Sequence, residues 1–488
     1  MMRNHAFIKR IAALLMAALI FAGTLAACGG RNSPADTTAS PGDTTAAETE
    51  AESTEIPDNL PDDLDFGGRH FRIGYMDPGV YIAASIVLEE TGEVVNDAVF
   101  EANNKVAERF NIVFEPIELA GNSLDPVKSA VLAGDNAYEA CGGHDITIGN
   151  LCLSGIFRDV NSLPYLDYEK PWWPAYSVDS LTVAGHMVLI SNYMSYWNLD
   201  STRLFYVNKK LMQDYALDMP YDAVREGKWT LDMLVSQMKD VYSDLNGNGE
   251  RDKDDLYGWA SPDDCYAMQE SFGITPIKED ENGVLYIDIN NERNMNIIND
   301  IISALKNTDG GIVFEEFDIP RDIFMAGNCL YFYSSLNFAT TKLRDTDVEY
   351  GMVPVPKYDE IQENYISGST DRPFAVPITV DSDEFIGVII EAMSAEGYKI
   401  VRPAYFDIAL KNKYAYDEDS AEMLDIIGNT IVLDFSYIYS DYGGFAWTLM
   451  NLLTPSNKND FASYVAKNEK RAQKRVDKLN EFFASFDG

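Results

Sequence analysis

The sequence predicts an α/β protein with two hydrophobic cores, and three observations point to it. Short alternating or apolar runs recur between longer stretches with helical spacing, the pattern of strand–helix–strand units laid into parallel sheet. Leu64 to Gly488 supplies more residues than one core of ordinary size accommodates. Helical periodicity extends through both halves, which sets the chain apart from all-β surface adhesins.

The amino end reads as an export signal. Arg3, Lys9 and Arg10 precede an apolar run from Ile11 to Ile20, too short to span a bilayer comfortably, and small residues lead into Leu25-Ala26-Ala27-Cys28. Leu-Ala-Ala-Cys resembles the lipobox of bacterial lipoproteins, which implies cleavage after residue 27 and a lipidated Cys28. From Cys28 to Leu64 the chain is rich in Ser, Thr, Pro, Asp, Glu and Ala and poor in large apolar side chains, so it is expected to be a disordered tether. A coil of about 35 residues reaches roughly 30–35 Å, enough to hold a folded body clear of lipid headgroups. The expected location is therefore the extracellular face of the cytoplasmic membrane, lipid-anchored, with the membrane met only through that anchor.

The formal charge is −40, from 78 acidic and 38 basic residues. Such a field repels nucleic acid and anionic lipid, and otherwise serves solubility. Beyond Cys28 the cysteines are Cys141, Cys152, Cys265 and Cys329, with no CxxC pair and no histidine at metal-ligand spacing, so zinc and redox sites are not expected. Cys141 and Cys152 are near enough in sequence to bridge, and all four equally fit as small buried hydrophobes.

Along the folded region, His70–Tyr75 alternates like a strand and runs into a turn at Asp77-Pro78-Gly79. Val95, Ala98, Val99, Ala102, Val106 and Phe110 repeat at helical spacing with Asn96 as a candidate cap, and Ile112–Phe114 follows as the next strand. Asp125–Ala133 reads as a helix, and Asp145–Ile148 as a buried strand ending at Gly149-Asn150. In open α/β sheets ligands bind beyond the carboxyl ends of strands, which would put Tyr75, Asp77 and Asn150 on one rim. No GxGxxG or GxxxxGK[ST] accompanies these loops, so a nucleotide is not indicated. Leu204–Asn208 is a further apolar stretch. Trp229-Thr230-Leu231-Asp232 opens a helix, and more helices are expected at Arg293–Leu305, Tyr405–Asn412, Ala421–Asn429 and Asp460–Phe483, with strands near Val353–Val355 and Ala375–Ile378.

One loop carries the spacing of a calcium site. From Asp244 to Asp255, oxygen side chains stand at loop positions one, three, five, nine and twelve (Asp244, Asn246, Asn248, Asp252, Asp255), with Gly249 at six and Glu250 at seven, where the backbone carbonyl is the donor. Position twelve is Asp rather than Glu, and position eight is Arg251 where a paired EF-hand wants an apolar residue; both favour a lone loop resembling those of dockerins. The ion, calcium, is expected to be structural.

Several segments, in this order, resemble the extracellular solute-binding proteins of ABC importers, particularly their lipoprotein, sugar-binding branch. They are Tyr165-Leu166-Asp167 with Lys170-Pro171-Trp172-Trp173, Tyr206-Val207-Asn208-Lys209, Gly227–Asp232, Phe324-Met325-Ala326-Gly327-Asn328, Tyr350–Lys357 and Glu422–Ile427. The resemblance implies a periplasmic-binding-protein-like fold of two α/β lobes joined by a multi-strand hinge, with ligand in the cleft and closure about it. It places chain crossings near Leu189–Leu199, Tyr350–Lys357 and Ala392–Pro403. Both lobes are then discontinuous: 65–195 with about 355–395, and 196–354 with about 396–488. It further implies a monomer, permease subunits as partners, a carbohydrate as ligand and no catalysis.

Sugar recognition needs flat aromatic faces and planar polar groups. Tyr193, Tyr196 and Trp197 precede the first crossing, and of these Tyr196 and Trp197 are taken as ligand contacts. The resemblance adds Tyr333, Asn337 and Trp447. Trp172, Trp173 and Trp229 are read as packing. The rival readings are a secreted lipoprotein glycoside hydrolase and a binder of peptide or another non-sugar solute. A glycosidase needs two carboxylates about 5–10 Å apart, a test that 78 acidic residues make uninformative. Against an enzyme stand the missing barrel repeat, the absence of GxSxG and HExxH, and few histidines.

Overall fold

The computed structural model describes residues 56–76, 82–121, 123–263, 265–343, 346–370, 372–411, 418–440, 444–457 and 460–487. The signal segment, Cys28, the tether up to residue 55 and Asp77 lie outside the described residues.

The first sheet grows from a strand–helix–strand unit. β1 (Arg69–Tyr75) is followed by α1 (Val94–Phe110), and β2 (Ile112–Glu118) lies parallel to β1 from Arg69 opposite Ile112 to Tyr75 opposite Glu118. α1 buries Ala98, Val99, Ala102, Val106 and Phe110, the stripe expected from its spacing. Asn96 does not cap it. The helix starts at Val94, and the preceding turn is fixed by Asp97, whose carboxylate accepts the Thr91 and Gly92 N–H groups. α2 (Asp125–Ala133) leads to β3 (Ala140–Gly142), parallel to β1 on its other side.

Asp145–Ile148 is not a strand. It is the first half of helix α3 (Asp145–Cys152), because Ala140–Gly142 already fills the place beside β1 and the following apolar run buries Ile146, Ile148 and Cys152 from a helix. A short apolar run has no period that separates the two states.

The second sheet is built from β4 (Arg203–Asn208), β5 (Leu256–Pro262), β6 (Gly311–Phe314), β7 (Cys329–Ser335) and β8 (Tyr350–Val353), in the order β6–β5–β7–β4–β8, with Tyr242–Ser243 pairing on β5. β6 and β7 run parallel to β5, whereas β4 is antiparallel to β7 and β8. Phe205 and Val207 of β4 belong to one core, Leu204 and Tyr206 to the other, so this strand is apolar throughout because both its faces are covered. Between the strands stand α4 (Leu231–Met238), capped by Thr230, α5 (Tyr266–Ser271) and α6 (Glu292–Lys306), capped by Asn291.

The chain passes between the sheets more than once. Ile190 bridges to Phe374 in the first sheet, and after a short helix at Trp197–Asp200 the chain enters β4. Beyond β8 come β9 (Ser367–Ser369) and β10 (Phe374–Ala375), which returns antiparallel to β3 and completes the order β10–β3–β1–β2. α7 (Asp383–Glu396) packs on α1 and continues through a π turn at Gly397–Val401 into α8 (Arg402–Lys411). The segment Ala392–Pro403, expected as a crossing, is thus helical. α9 (Glu418–Asn429) packs on β8, β11 (Ile431–Leu433) pairs parallel with β9, and α10 (Phe435–Ile438) and α11 (Phe461–Ala484) follow. Two sheets with helical cover and repeated passages between them make this the two-lobe fold of periplasmic binding proteins. The four described cysteines are buried and form no disulfide, and burial pushes the thiols of Cys141, Cys152 and Cys329 up, that of Cys329 to about 12.

Trp172 and Trp173 pack as expected, and α7 holds them. Glu391 accepts the Trp172 indole N–H at 2.7 Å, the Trp173 indole N–H at 2.8 Å and the Asp167 N–H at 3.3 Å. Burial raises its carboxyl from 4.5 to about 7, with the two indoles pulling the other way. The folded carboxyl keeps its proton to higher pH than the unfolded one, so its contribution to stability is full below about pH 4.5 and is lost as pH rises through about 7. Glu391→Gln leaves one indole N–H without an acceptor, at a cost of about 1–3 kcal/mol. Its deficit in thermal unfolding is larger near pH 5 than near pH 7.5; equal deficits at both would show that the folded carboxyl titrates as in the unfolded chain.

Candidate ligand-binding site

The carboxyl ends of β1 and β3 open onto a small, largely enclosed cavity lined by Tyr75, Met76, Gly142, Gly143, Ser195, Trp197, Arg372 and Phe374. β1 delivers Tyr75, whose hydroxyl lies 2.9 Å from Ser85 Oγ and whose ring meets Phe374 edge-on at 6.0 Å. Trp197 begins the short helix between the sheets, its N–H donating to Ser195 Oγ at 3.2 Å, and the Arg372 guanidinium stands 5.4 Å from its ring centre. Tyr75 and Trp197, far apart in sequence, are therefore brought together.

The other expected contacts are distributed differently. Tyr196 turns toward Tyr405, ring centres 5.4 Å apart. Asn337 donates to Asp200 Oδ2 at 3.1 Å, and the other oxygen of Asp200 takes the Tyr405 hydroxyl. Tyr333 is buried in β7 against Phe205, in the core of the second sheet. Asn150 is not at the end of a strand. It lies on α3, donates to the carbonyls of Ile146 and Ser440 at 2.8 Å each, and accepts from Arg475 at 2.8 Å, so its amide ties α3 to the segment after α10 and to α11.

Trp447 joins an aromatic group that the sequence did not single out. Tyr266 of α5 and Tyr437 of α10 stack with centres 4.3 Å apart and planes 4° from parallel, and Trp447 leans on both at 5.5 and 5.2 Å. Ile146 of α3 packs into the same cluster. Helices that follow β3, β5 and β11 therefore converge here. Around the cluster lie three buried acids, Asp145, Glu270 and Asp434. Burial, followed by the neighbouring charge of Asp434, pushes the Glu270 carboxyl well above the carboxylate range. Burial raises Asp434 to about 6, while the N–H groups of Tyr437 and Ser436 hold it down in part. A possible signal was the i, i+4 pair Tyr266–Glu270 on one helix, but in so acidic a chain it does not stand out.

The Asp244–Asp255 loop is folded on itself. Asp244 accepts the Gly247 and Gly249 N–H groups at 2.7 and 2.8 Å, and Asn246 and Asn248 both reach the Asp252 carboxylate, Asn248 at 2.7 Å. Gly249 has φ +75°, the left-handed conformation required at the sharp turn. The amide N–H groups of positions three and five thus face the carboxylate of position nine, while their oxygens accept the N–H groups of Asn248 and Glu250 at 3.0 and 2.7 Å. Asp255 is buried and accepts from Leu245 N–H and from the hydroxyls of Tyr242 and Tyr257. Arg251 lies over the same two rings at 4.8 and 5.3 Å, which accounts for a charged residue at position eight. Among the described residues no three His, Cys, Asp or Glu side chains converge closely enough to hold a metal ion; the loop's set is mixed with carboxamides and a carbonyl.

With its two sheets and a cavity at the strand ends, the chain has the fold of the sugar-binding solute-binding proteins of ABC importers. It is similar to M. tuberculosis UspC, at 14% identity over 83% of this chain and 99% of that one, with a TM-score of 0.53. It is similar also to the GacH receptor of Streptomyces glaucescens, a structure that includes complexes with acarbose, at 10% identity, 84% and 99% coverage and a TM-score of 0.51. A third is the maltose/maltodextrin-binding domain MalE of Bdellovibrio bacteriovorus bound to maltotriose, at 13% identity, 83% and 99% coverage and a TM-score of 0.50. No protein-family model and no curated protein sequence matches the chain. Among the described residues no helix is long and apolar enough to cross a membrane.

α3 reaches the site only because residue 149 lacks a side chain: a Cβ there would lie 2.3 Å from the Ile438 carbonyl oxygen. Gly149→Ala must push α3 off α10 and is expected to cost about 1–3 kcal/mol as overpacking. Thermal unfolding reads this directly, and an unchanged midpoint would show that the two helices are not in fixed contact.

Proposed function

We propose that the chain is the substrate-binding component of an ABC importer, capturing a mono- or oligosaccharide between two lobes that close around it. The observation that carries this reading is the convergence of helices from beyond strands of both sheets onto one aromatic cluster, in a fold shared with proteins bound to maltotriose and acarbose. Aromatic faces and buried acceptors are what a pyranose needs: the faces cover its C–H surfaces, and carboxylate and hydroxyl groups pair with its hydroxyls.

In this reading lobe 1 comprises 65–195 with about 355–395, and lobe 2 comprises 196–354 with about 396–488. Closure is a shift between two arrangements, and ligand favours the closed one by as much as it contacts both lobes at once. Tyr75 serves lobe 1, and Trp197 and Trp447 approach from the second. The closed form is what permease subunits would recognise. The chain acts as a monomer, binds without turnover, and is held by lipid on Cys28 outside the cytoplasmic membrane. Calcium at Asp244, Asn246, Asn248, the Glu250 carbonyl, Asp252 and Asp255 would brace the hairpin between Tyr242 and Tyr257 and take no part in binding.

Binding to the native state raises the unfolding midpoint by mass action, by about 2.7 kcal/mol at a hundredfold excess over Kd. Residues 29–488 are expected to be stabilised by one saccharide class without product formation, and Trp197→Ala and Trp447→Ala to weaken that binding by about tenfold. Product on prolonged incubation would move the chain to the hydrolases, and a response to peptides alone would remove the carbohydrate. Millimolar calcium is expected to raise the midpoint in the absence of sugar, and Asp244→Ala to abolish that rise; a chelator without effect on the wild type would sink the calcium assignment.

A further inference from the structure

Beside the aromatic cluster three carboxylates are buried with oxygens that have no partner. Asp145 opens α3, Glu270 lies one turn after Tyr266 on α5, and Asp434 precedes α10; they are 1%, 7% and 5% exposed. Asp145 Oδ1 accepts the Ile146 N–H at 2.9 Å and lies 3.0 Å from His144 Nδ1, while its Oδ2 has no hydrogen bond. Asp434 Oδ1 takes the N–H groups of Ser436 and Tyr437 at 2.7 and 3.2 Å, while its Oδ2 has none. Glu270 Oε2 has none either, and the Ser436 hydroxyl, 3% exposed, is also unpartnered.

Buried carboxyl oxygens without hydrogen-bond partners are among the least tolerated groups in a folded protein. Here they come from three separate elements, and the charge of Asp434 acts on Glu270 and that of Asp145 on Asp434, so no single packing accident explains them. No donor of the described residues reaches Asp145 Oδ2, Glu270 Oε2 or Asp434 Oδ2 within hydrogen-bond distance. Among the described residues no three His, Cys, Asp or Glu side chains are grouped so as to hold a metal ion. An organic cation meets each of these conditions. A protonated amine offers three N–H donors and cancels charge, whereas neutral hydroxyls would donate but leave the charge uncompensated in a dry site. Adjacent aromatic rings add to its attraction.

We infer that the ligand is a cationic saccharide, an amino sugar or its oligomer, whose ammonium group is held among Asp145, Glu270 and Asp434 while a ring lies against Tyr266, Tyr437 and Trp447. This rests on the carbohydrate reading above and narrows it. The strongly acidic chain draws such a ligand in from solution.

The test is calorimetric titration of residues 29–488 with a glucosamine tetramer, its fully N-acetylated counterpart, maltotriose and spermidine. The glucosamine tetramer is expected to bind at least tenfold tighter than the other two saccharides, and Glu270→Gln and Asp434→Asn to lose at least tenfold of that affinity. Without ligand, both variants are expected to unfold at higher temperature than the wild type near neutral pH, because each replaces a carboxyl whose ionisation burial opposes in the folded chain but not in the unfolded one. Equal or tighter binding of N-acetylated or neutral sugar, undiminished in the variants, would overturn the amine and leave the carbohydrate reading intact. Binding of spermidine with none of any saccharide would overturn the carbohydrate reading and the saccharide with it. If neither ligand-free variant gains stability, the carboxylates have partners within the protein and the inference falls.

Discussion

The approach of α3 to α10 is the contact on which the site depends. It exists because Gly149 lets the Ile438 carbonyl sit where a side chain would otherwise be, and it is fastened by the Asn150 amide, which bonds to Ser440 and Arg475 at the same edge. That contact carries Asp145 and Ile146 from the first sheet to the aromatic cluster built by α5 and α10. Move α3 away and the site loses one of its three acids together with the apolar floor beneath Tyr437. The chemistry is therefore set by a backbone clearance and not by the polar residues alone.

A second constraint acts at a distance from it. The loop at 244–255 closes through Asp255, whose oxygens are satisfied by Leu245, Tyr242 and Tyr257, while Arg251 covers the same two rings. The loop is thereby attached to β5 at its start, and β5 ends four residues before Tyr266. The loop's internal bonds are thus tied to the strand that leads to the helix bearing Tyr266 and Glu270.

Much of the framework was legible because long helices repeat their apolar stripe several times: the helices over 94–110, 292–306 and 461–484 follow their spacing closely. The strand pair β1–β2 was legible for the same reason at a period of two. Asp145–Ile148 was not, since four residues satisfy a strand and a helix equally and the choice was made by Ala140–Gly142 taking the place beside β1. That one misreading moved Asn150 from a packing role to a rim and hid Asp145. The aromatic pair Tyr266–Tyr437 was out of reach for another reason: 171 residues separate its members, and nothing local marks either ring. Trp447 and Trp197 were singled out from where the resemblance places a cleft, not from their own neighbourhoods.

The buried acids also bear on how the two lobes would respond to ligand. Asp145 follows a strand of the first sheet and Glu270 follows one of the second, so in the proposed closure bringing the elements together without ligand would take their carboxyls out of water and oppose their ionisation, and separating them would let water in. On that proposal the empty protein would be biased toward an open arrangement by the same groups that would hold the ligand. A cation would offset that cost only when it touches acids from both sides, so its contribution would be large in the closed arrangement and small in the open one. This is the differential affinity that a ligand-driven closure requires. A neutral sugar of the same shape would fill the space but leave the cost in place, and so would fail to drive closure as strongly even where its contacts were equally good.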